Sequence, residues 1–175
     1  MEASELRGCV RDIADFPKPG VTFKDITPLL SNTDAFRSTI DLISDHFDGQ
    51  AVERVLGVEA RGFIIAAPVA YKFGAAFIPV RKAGRLPWEI ERVEYELEYG
   101  SDLLEIHRDA IAPGDRVVIV DDVLATGGTA AATVRLVEKL GGVVAGLAFV
   151  IELEFLNGRE KLPAYDVMSL ITYDK

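Results

Sequence analysis

The sequence is poor in the residues that build disulfides and zinc sites. Cys9 is the single cysteine among 175 residues, and the two histidines, His46 and His107, stand far apart. One cysteine excludes an intramolecular disulfide, and low cysteine content is typical of cytoplasmic proteins. The first residues also lack the basic and apolar regions of a signal peptide. We therefore expect a cytoplasmic protein in which Cys9 belongs to the core and both histidines are surface residues.

Long apolar runs and an excess of positive charge are also missing. The longest apolar run, residues 143–151, is much shorter than the ~20 residues of a membrane-spanning helix. The formal net charge is −9, whereas nucleic-acid binding needs a basic face. We therefore expect neither a nucleic-acid nor a membrane partner. An acidic protein that binds a polyanion must concentrate its few cations locally, so their positions are informative.

Segments with strand character alternate with segments of helical periodicity. This alternation predicts an α/β fold with a Rossmann-like, open, mainly parallel sheet flanked by helices. The length suits a single domain over residues 1–175. The expected helices are residues 4–14, 32–48, 63–73 and 130–140, and the expected strands are residues 52–58, 75–80, 117–120, 143–155 and 167–171.

The most informative stretch begins with the apolar strand at residues 117–120. Asp121 and Asp122 follow where that strand is expected to end, and a loop of small and hydroxyl residues then leads into a helix. Such a loop offers backbone N–H groups, hydroxyl donors and the positive end of a helix dipole, which together bind anions. It has neither the Walker spacing nor the dinucleotide-binding spacing. The loop residues are Ala125, Thr126, Gly127, Gly128 and Thr129.

The two carboxylates indicate which phosphate compound fits. Asp121 and Asp122 would repel a phosphate but accept hydrogen bonds from vicinal hydroxyls, so a ribose 5-phosphate suits the pair and the loop together. Arg61, Arg81 and Lys82 are expected at the carboxyl ends of neighbouring strands, where ligands bind in open parallel sheets. The alternative is a simple strand–turn–helix in which both acids only cap the helix.

The stretch resembles the phosphoribosyl pyrophosphate (PRPP) binding motif of type I phosphoribosyltransferases. The resemblance implies that the acid pair binds the ribose hydroxyls, that the loop binds the 5-phosphate and that Mg²⁺ arrives as the PRPP complex, with no direct protein ligand assigned. Over nearly the whole chain, the sequence is similar to the adenine phosphoribosyltransferase family, and the similarity is most specific at residues 16–28, 81–87, 95–100, 152–153 and 158–162. The implied activity is transfer of the phosphoribosyl group from PRPP to adenine, giving AMP and pyrophosphate in purine salvage.

Residues 1–33 are the expected base-binding segment, a small N-terminal hood. Phe23 lies in a proline-rich stretch, and its aromatic ring suits either a core plug or a stacking platform for a flat ligand. The residues by themselves favour the plug. The family resemblance instead implies that Phe23 stacks on adenine, that Thr22 and Lys24 bind the base edge through their backbone, and that Leu153 packs on its other face.

Residues 83–106 resemble the family's flexible lid hairpin, although an ordinary solvated hairpin is the alternative reading. Glu98 is the expected general acid or base, and Arg61 and Arg81 are the other catalytic candidates. Trp88 stands where many relatives have a small residue. The pyrophosphate and lid residues implied by the resemblance are Arg61, Arg81, Lys82, Arg85 and Tyr99.

Two rival functions share the PRPP motif. One is transfer to another purine base, against which the Phe23 segment argues. The other is a PRPP-sensing regulatory domain, which the acidic charge disfavours because such a domain needs a nucleic-acid surface. The resemblance also implies a homodimer.

Overall fold

The computed structural model describes residues 1–96 and 101–175. In this part of the chain the helices are α1 (Ala3–Leu6), α2 (Thr27–Ser31), α3 (Thr33–His46), α4 (Gly62–Phe73) and α5 (Gly128–Lys139). The strands are β1 (Arg11–Ile13), β2 (Phe23–Asp25), β3 (Arg54–Val58), β4 (Ala76–Lys82), β5 (Ile90–Glu96), β6 (Ser101–His107), β7 (Arg116–Leu124), β8 (Val143–Leu153) and β9 (Val167–Tyr173). Short 3₁₀ turns follow α1 at Arg7–Cys9 and follow β8 at Glu154–Leu156 and Gly158–Lys161.

The main sheet is mostly parallel. Its strand order in the described residues is β5-β6-β4-β3-β7-β8-β9. Strands β4, β3, β7, β8 and β9 run parallel to their neighbours in that row, whereas β6 pairs antiparallel with both β4 and β5. The expected α/β fold class is therefore confirmed.

Alternating side chains of β7 pack into hydrophobic clusters on opposite faces of the sheet. Val118 and Val120 join the cluster that contains α3 and α4, while Val117 and Ile119 join the cluster beneath α5. All of these side chains are fully buried. A strand covered on both faces explains the continuous apolar run in the sequence.

The expected helix over residues 4–14 is wrong. Helix α1 ends at Leu6, and a 3₁₀ turn leads into β1, which pairs antiparallel with β2. The Arg11 guanidinium lies 2.6 Å from the Asp25 carboxylate, and the Lys24 ammonium lies 2.9 Å from the Asp12 carboxylate. These pairs across the ribbon favour a strand over the helical periodicity.

The β5–β6 hairpin is joined to the main sheet instead of standing apart from it. Residues Arg81 and Lys82 of β4 pair with Glu105 and Leu104 of β6. The side chain of Tyr95 on β5 is also buried. The hairpin thus forms the sheet edge beside the expected functional end. No helix in residues 1–96 and 101–175 has the length and apolar content needed to cross a bilayer.

Candidate active site

The two acids of the motif lie inside β7, which continues through them to Leu124 instead of ending at Val120. The Asp122 backbone N–H donates to Asp121 Oδ1 at 2.8 Å, and Asp122 Oδ2 lies 2.5 Å from Arg61 Nε. Asp122 is only 7% exposed. Burial, reinforced by the neighbouring Asp122 carboxylate, raises the pKa of Asp121 well above its usual range.

Helix α4 begins against this acid pair. At Gly62 a Cβ atom would lie 2.8 Å from Asp121 Oδ1 and 3.1 Å from the Val120 carbonyl oxygen. The missing side chain therefore lets the helix approach β7 closely. The positive end of the α4 dipole consequently faces the Asp121 carboxylate.

The loop between β7 and α5 encloses a small concavity. Its volume is about 80 Å³, several times the ~10–15 Å³ that a single water needs, so it has room for a compact group such as a phosphate. Gly127 is the residue before α5 and has φ of +75°, a conformation that favours glycine. The concavity is lined by Asp121, Val123, Leu124, Ala125, Thr126, Gly127, Gly128, Thr129, Ala130 and Phe149.

Gly158 packs directly against the backbone of this loop, a contact that the sequence reasoning missed. A Cβ atom on Gly158 would overlap the Ala125 carbonyl oxygen and lie 2.9 Å from the Gly127 nitrogen. Gly158 therefore fixes the loop through direct backbone contact. The sequence signals were the Asn157-Gly158 dipeptide and the family resemblance of residues 158–162, which mark a turn but not what the turn touches.

Arg159 ties the Gly158 turn to the sheet. Its guanidinium bonds both carboxylate oxygens of Glu152 on β8, and its Nη1 donates to the Val167 carbonyl at 2.7 Å. Burial opposes ionisation of Glu152, but the Arg159 hydrogen bond prevails and lowers the pKa of that carboxyl. Leu153, the next residue, thus has a fixed position at the end of β8.

The predicted pyrophosphate cations have carboxylate partners. Arg61 pairs with Asp122, as described, and Lys82 lies 3.4 Å from Asp102. Arg81 and Arg85 both contact Glu59, each at 3.2 Å. The structure therefore brings Arg81 and Arg85 together on one acid, Glu59, which the sequence reasoning did not single out.

Phe23 lies beside Arg61 and is only partly buried, so it is not a core plug. The Arg61 guanidinium is 5.1 Å from the centre of its ring, and the Phe16 ring meets it edge-on at 5.3 Å. Because Arg61 also contacts Asp122, the N-terminal segment meets the acid pair of β7 at this residue. One face of the site thus joins an aromatic ring to the ribose-binding candidates.

Two of the other predicted base contacts, Lys24 and Leu153, lie beside Tyr173. The Lys24 ammonium lies 4.1 Å from the centre of the Tyr173 ring, and Leu153 is the strand partner of Tyr173. The Lys24 side chain is thus held by Asp12 and Tyr173. Thr22 is exposed.

Comparison with known proteins assigns this arrangement to a family. Residues 26–173 match the family described as phosphoribosyl transferase domain. An adenine phosphoribosyltransferase of Roseiflexus sp. (strain RS-1) is 55% identical over 170 residues, which is 97% of this chain and 99% of that protein. The chain belongs to the adenine phosphoribosyltransferase family.

Solved structures of adenine phosphoribosyltransferases agree with this assignment. The protein from Thermoanaerobacter pseudethanolicus superimposes with a TM-score of 0.94 at 51% identity, covering 98% of this chain and 99% of that one. The protein from Saccharomyces cerevisiae, solved with an imino-altritol bisphosphate and adenine, gives a TM-score of 0.92 at 42% identity, covering 96% and 97%. The resemblance stated from the motifs is therefore confirmed.

The roles assigned to residues from the adenine phosphoribosyltransferase resemblance remain predictions. Glu98 and Tyr99 lie outside the described residues. Among the other assigned residues, Arg61 contacts both Asp122 and Phe23, and the loop follows the acid pair along the chain. Arg81 and Arg85 are gathered on Glu59, while Lys82 follows Arg81 at the end of β4.

Proposed function

We propose that this chain transfers the 5-phosphoribosyl group of PRPP to adenine, releasing AMP and pyrophosphate. The observation that carries the proposal is the position of Arg61, between the Asp122 carboxylate and the Phe23 ring. That position connects a ribose-phosphate site with a flat, partly buried aromatic surface. Family membership supports the same reaction.

The ribose phosphate is assigned to β7 and its loop. Asp121 and Asp122 would accept hydrogen bonds from the ribose hydroxyls. Backbone N–H groups and hydroxyls of residues 126–129, at the N-terminus of α5, would bind the 5-phosphate. The support is the glycine-lined concavity directly beyond the two acids.

The base is assigned to the ring of Phe23, with Leu153 on its opposite face. Backbone groups of Thr22 and Lys24 would bind the edge of adenine. The 6-amino group of adenine donates a hydrogen bond where the 6-oxo group of hypoxanthine accepts one. A fixed backbone carbonyl therefore disfavours the wrong base by leaving buried polar atoms unpaired.

The transfer step needs charge neutralisation and a proton carrier. As adenine N9 attacks C1′, the bond to pyrophosphate breaks and charge develops on the leaving group. Arg61, Arg81, Lys82 and Arg85 are assigned to stabilise that charge. Glu98 is assigned as the general acid or base near adenine N7, and Tyr99 as a phosphate contact.

Magnesium is assigned to the substrate complex. In residues 1–96 and 101–175, no set of three or more His, Cys, Asp or Glu side chains is grouped to hold a metal ion. Phosphate oxygens are the hard ligands that Mg²⁺ prefers, and it retains several waters when it binds them. The ion would therefore enter with PRPP and offset charge on the departing pyrophosphate.

The segment over residues 83–106 is assigned as a lid. It follows Arg81 and Lys82 directly and returns along β6 beside them. Closure over the substrates would exclude water, which otherwise hydrolyses PRPP. Trp88 is 67% exposed at the start of this segment.

The reaction itself is tested by product analysis. Incubation with adenine, PRPP and Mg²⁺ is expected to yield AMP and pyrophosphate in equal amounts, measured by mass spectrometry and a pyrophosphate assay. The variant Asp121→Asn is expected to bind PRPP more weakly, because an N–H donor replaces one of the two oxygens that would accept from a ribose hydroxyl. Ribose 5-phosphate as the main product would contradict transfer to the base.

A homodimer in the cytoplasm completes the proposal. On α4 the side chains of Ile64 and Tyr71 are 44% and 90% exposed, although the opposite side of the helix is packed in the core. A helix that is apolar on both sides is expected to be covered on both sides. A second copy of the chain is the occupant we propose for this outer face of α4.

The variant Tyr71→Glu is expected to shift the protein from dimer to monomer. A carboxylate placed in an apolar interface loses hydration without gaining a partner. Light scattering should then give the monomer mass of 19.1 kDa instead of twice that value. Val143→Glu is a control, because Val143 is an exposed apolar residue at the start of β8, outside α4. A dimeric Tyr71→Glu protein would refute this interface.

A further inference from the structure

Glu59 lies at the centre of the predicted pyrophosphate cations. Its carboxylate accepts from Arg81 Nε and Nη2 at 3.2 Å each, and from the Lys82 backbone N–H at 3.1 Å. Arg85 Nη1 lies 3.2 Å from Glu59 Oε1. One carboxylate thus orients two guanidinium groups and one backbone donor.

This carboxylate is shielded but charged. The Glu59 side chain is 11% exposed, whereas those of Arg81 and Arg85 are 31% and 56% exposed. Burial disfavours the charged form, but hydrogen bonds from Arg81 and the Lys82 N–H outweigh it and lower the pKa of Glu59. At neutral pH, Glu59 is therefore an anion behind cations whose outer sides face solvent.

We propose that Glu59 is a positioning residue that orients Arg81 and Arg85 toward pyrophosphate and also weakens pyrophosphate binding by competing for the same cations. The proposal rests on the proposed function, in which pyrophosphate is the leaving product. A pyrophosphate oxygen bound to either arginine lies close to the Glu59 charge, and like charges repel. Weaker product binding favours release, which often limits turnover in enzymes.

The test compares binding of inorganic pyrophosphate to wild type and Glu59→Gln by calorimetry, with Mg²⁺ present. Glutamine has nearly the same size and keeps one acceptor oxygen, but it carries no charge. Removing one nearby unit charge is expected to tighten binding on the order of tenfold. If Glu59 only held the arginines in place, Glu59→Gln would bind pyrophosphate more weakly than wild type. The reason is that poorly held arginines bind the ligand more weakly.

Two further variants make the result specific. Glu59→Asp keeps the charge but moves it away from the arginines by one methylene. Its affinity for pyrophosphate should therefore rise by a smaller factor, roughly two- to threefold. Asp109→Asn removes an exposed acid that follows β6, toward the opposite end of the sheet, and should leave the affinity unchanged. Thermal melting of each protein verifies that it is folded.

The outcomes separate this proposal from the assigned reaction. If wild type makes AMP but Glu59→Gln binds pyrophosphate equally or more weakly, the role of Glu59 is refuted and the reaction stands. Should Glu59→Gln fail to fold, unchanged or weaker binding by Glu59→Asp refutes the same role. A wild-type protein that neither makes AMP nor binds pyrophosphate refutes both.

Discussion

Replacing Glu98 by glutamine is expected to lower kcat by roughly 10²–10⁴, the range typical of general acid–base groups. Glutamine keeps the size of the side chain and can donate a hydrogen bond, but it does not take up or release a proton at neutral pH. The assigned step moves a proton at the base as adenine N9 bonds to C1′. PRPP binding should be retained, since Glu98 is not assigned to the ribose phosphate.

Steady-state kinetics and direct PRPP binding separate these two effects. Glu94→Gln is the matched control, because it removes the same charge from β5 at an exposed position hydrogen-bonded to Ser101. This control should have a kcat near that of wild type. A Glu98→Gln enzyme with near-normal kcat would show that another group carries the proton.

Replacing Gly158 by alanine is expected to lower kcat/KM for PRPP by roughly 10², the scale of loss when a group that positions substrate moves by about 1 Å. The added Cβ would overlap the Ala125 carbonyl oxygen and lie 2.9 Å from the Gly127 nitrogen. Both are backbone atoms, which cannot move aside as a flexible side chain can. The loop assigned to the 5-phosphate must therefore move away from its present position.

The matched control is Gly8→Ala. Gly8 lies in the 3₁₀ turn after α1, and an added Cβ there meets no atom within 4 Å. Both variants should keep the far-ultraviolet circular dichroism of a folded α/β protein. An unchanged kcat/KM in Gly158→Ala would mean that the loop does not depend on this contact to bind phosphate.

Much of the fold followed from local patterns in the sequence. The apolar run at residues 117–120 predicted the central strand because burial on both faces requires it. The apolar periodicity predicted a helix from Asn32, and in the structure the Asn32 side chain caps α3 by accepting hydrogen bonds from the Asp34 and Ala35 N–H groups. A strand buried on both faces and a capped helix each have a signature in consecutive residues, so both can be predicted from the sequence.

Other features depend on contacts between distant residues and could not be predicted in this way. Arg11 and Asp12 belong to a strand because they meet Asp25 and Lys24, which a helical pattern over residues 4–14 does not reveal. Gly158 supports Gly127 across 31 residues of sequence. Glu59 directly follows β3, yet its arginine partners come from the end of β4 and the turn after it.

The candidate site also combines features that local sequence predicts with features that depend on contacts between distant residues. The acids and the glycine loop are contiguous in sequence, so their proximity was predictable from the motif alone. The connection of Phe23 to Asp122 through Arg61 joins three separate segments. Residue types favoured a core plug for Phe23, and only the resemblance implied a ligand platform, with which its partial burial is consistent.

The most direct test of the central claim is competition among purine bases. Adenine, hypoxanthine, guanine and xanthine are supplied together with PRPP and Mg²⁺, and the nucleotide products are separated by mass. The proposed Phe23 site predicts AMP as the dominant product, because the other bases present an oxo group where adenine presents its amino group. A product mixture dominated by the monophosphate of another base would contradict the assignment of adenine as the acceptor.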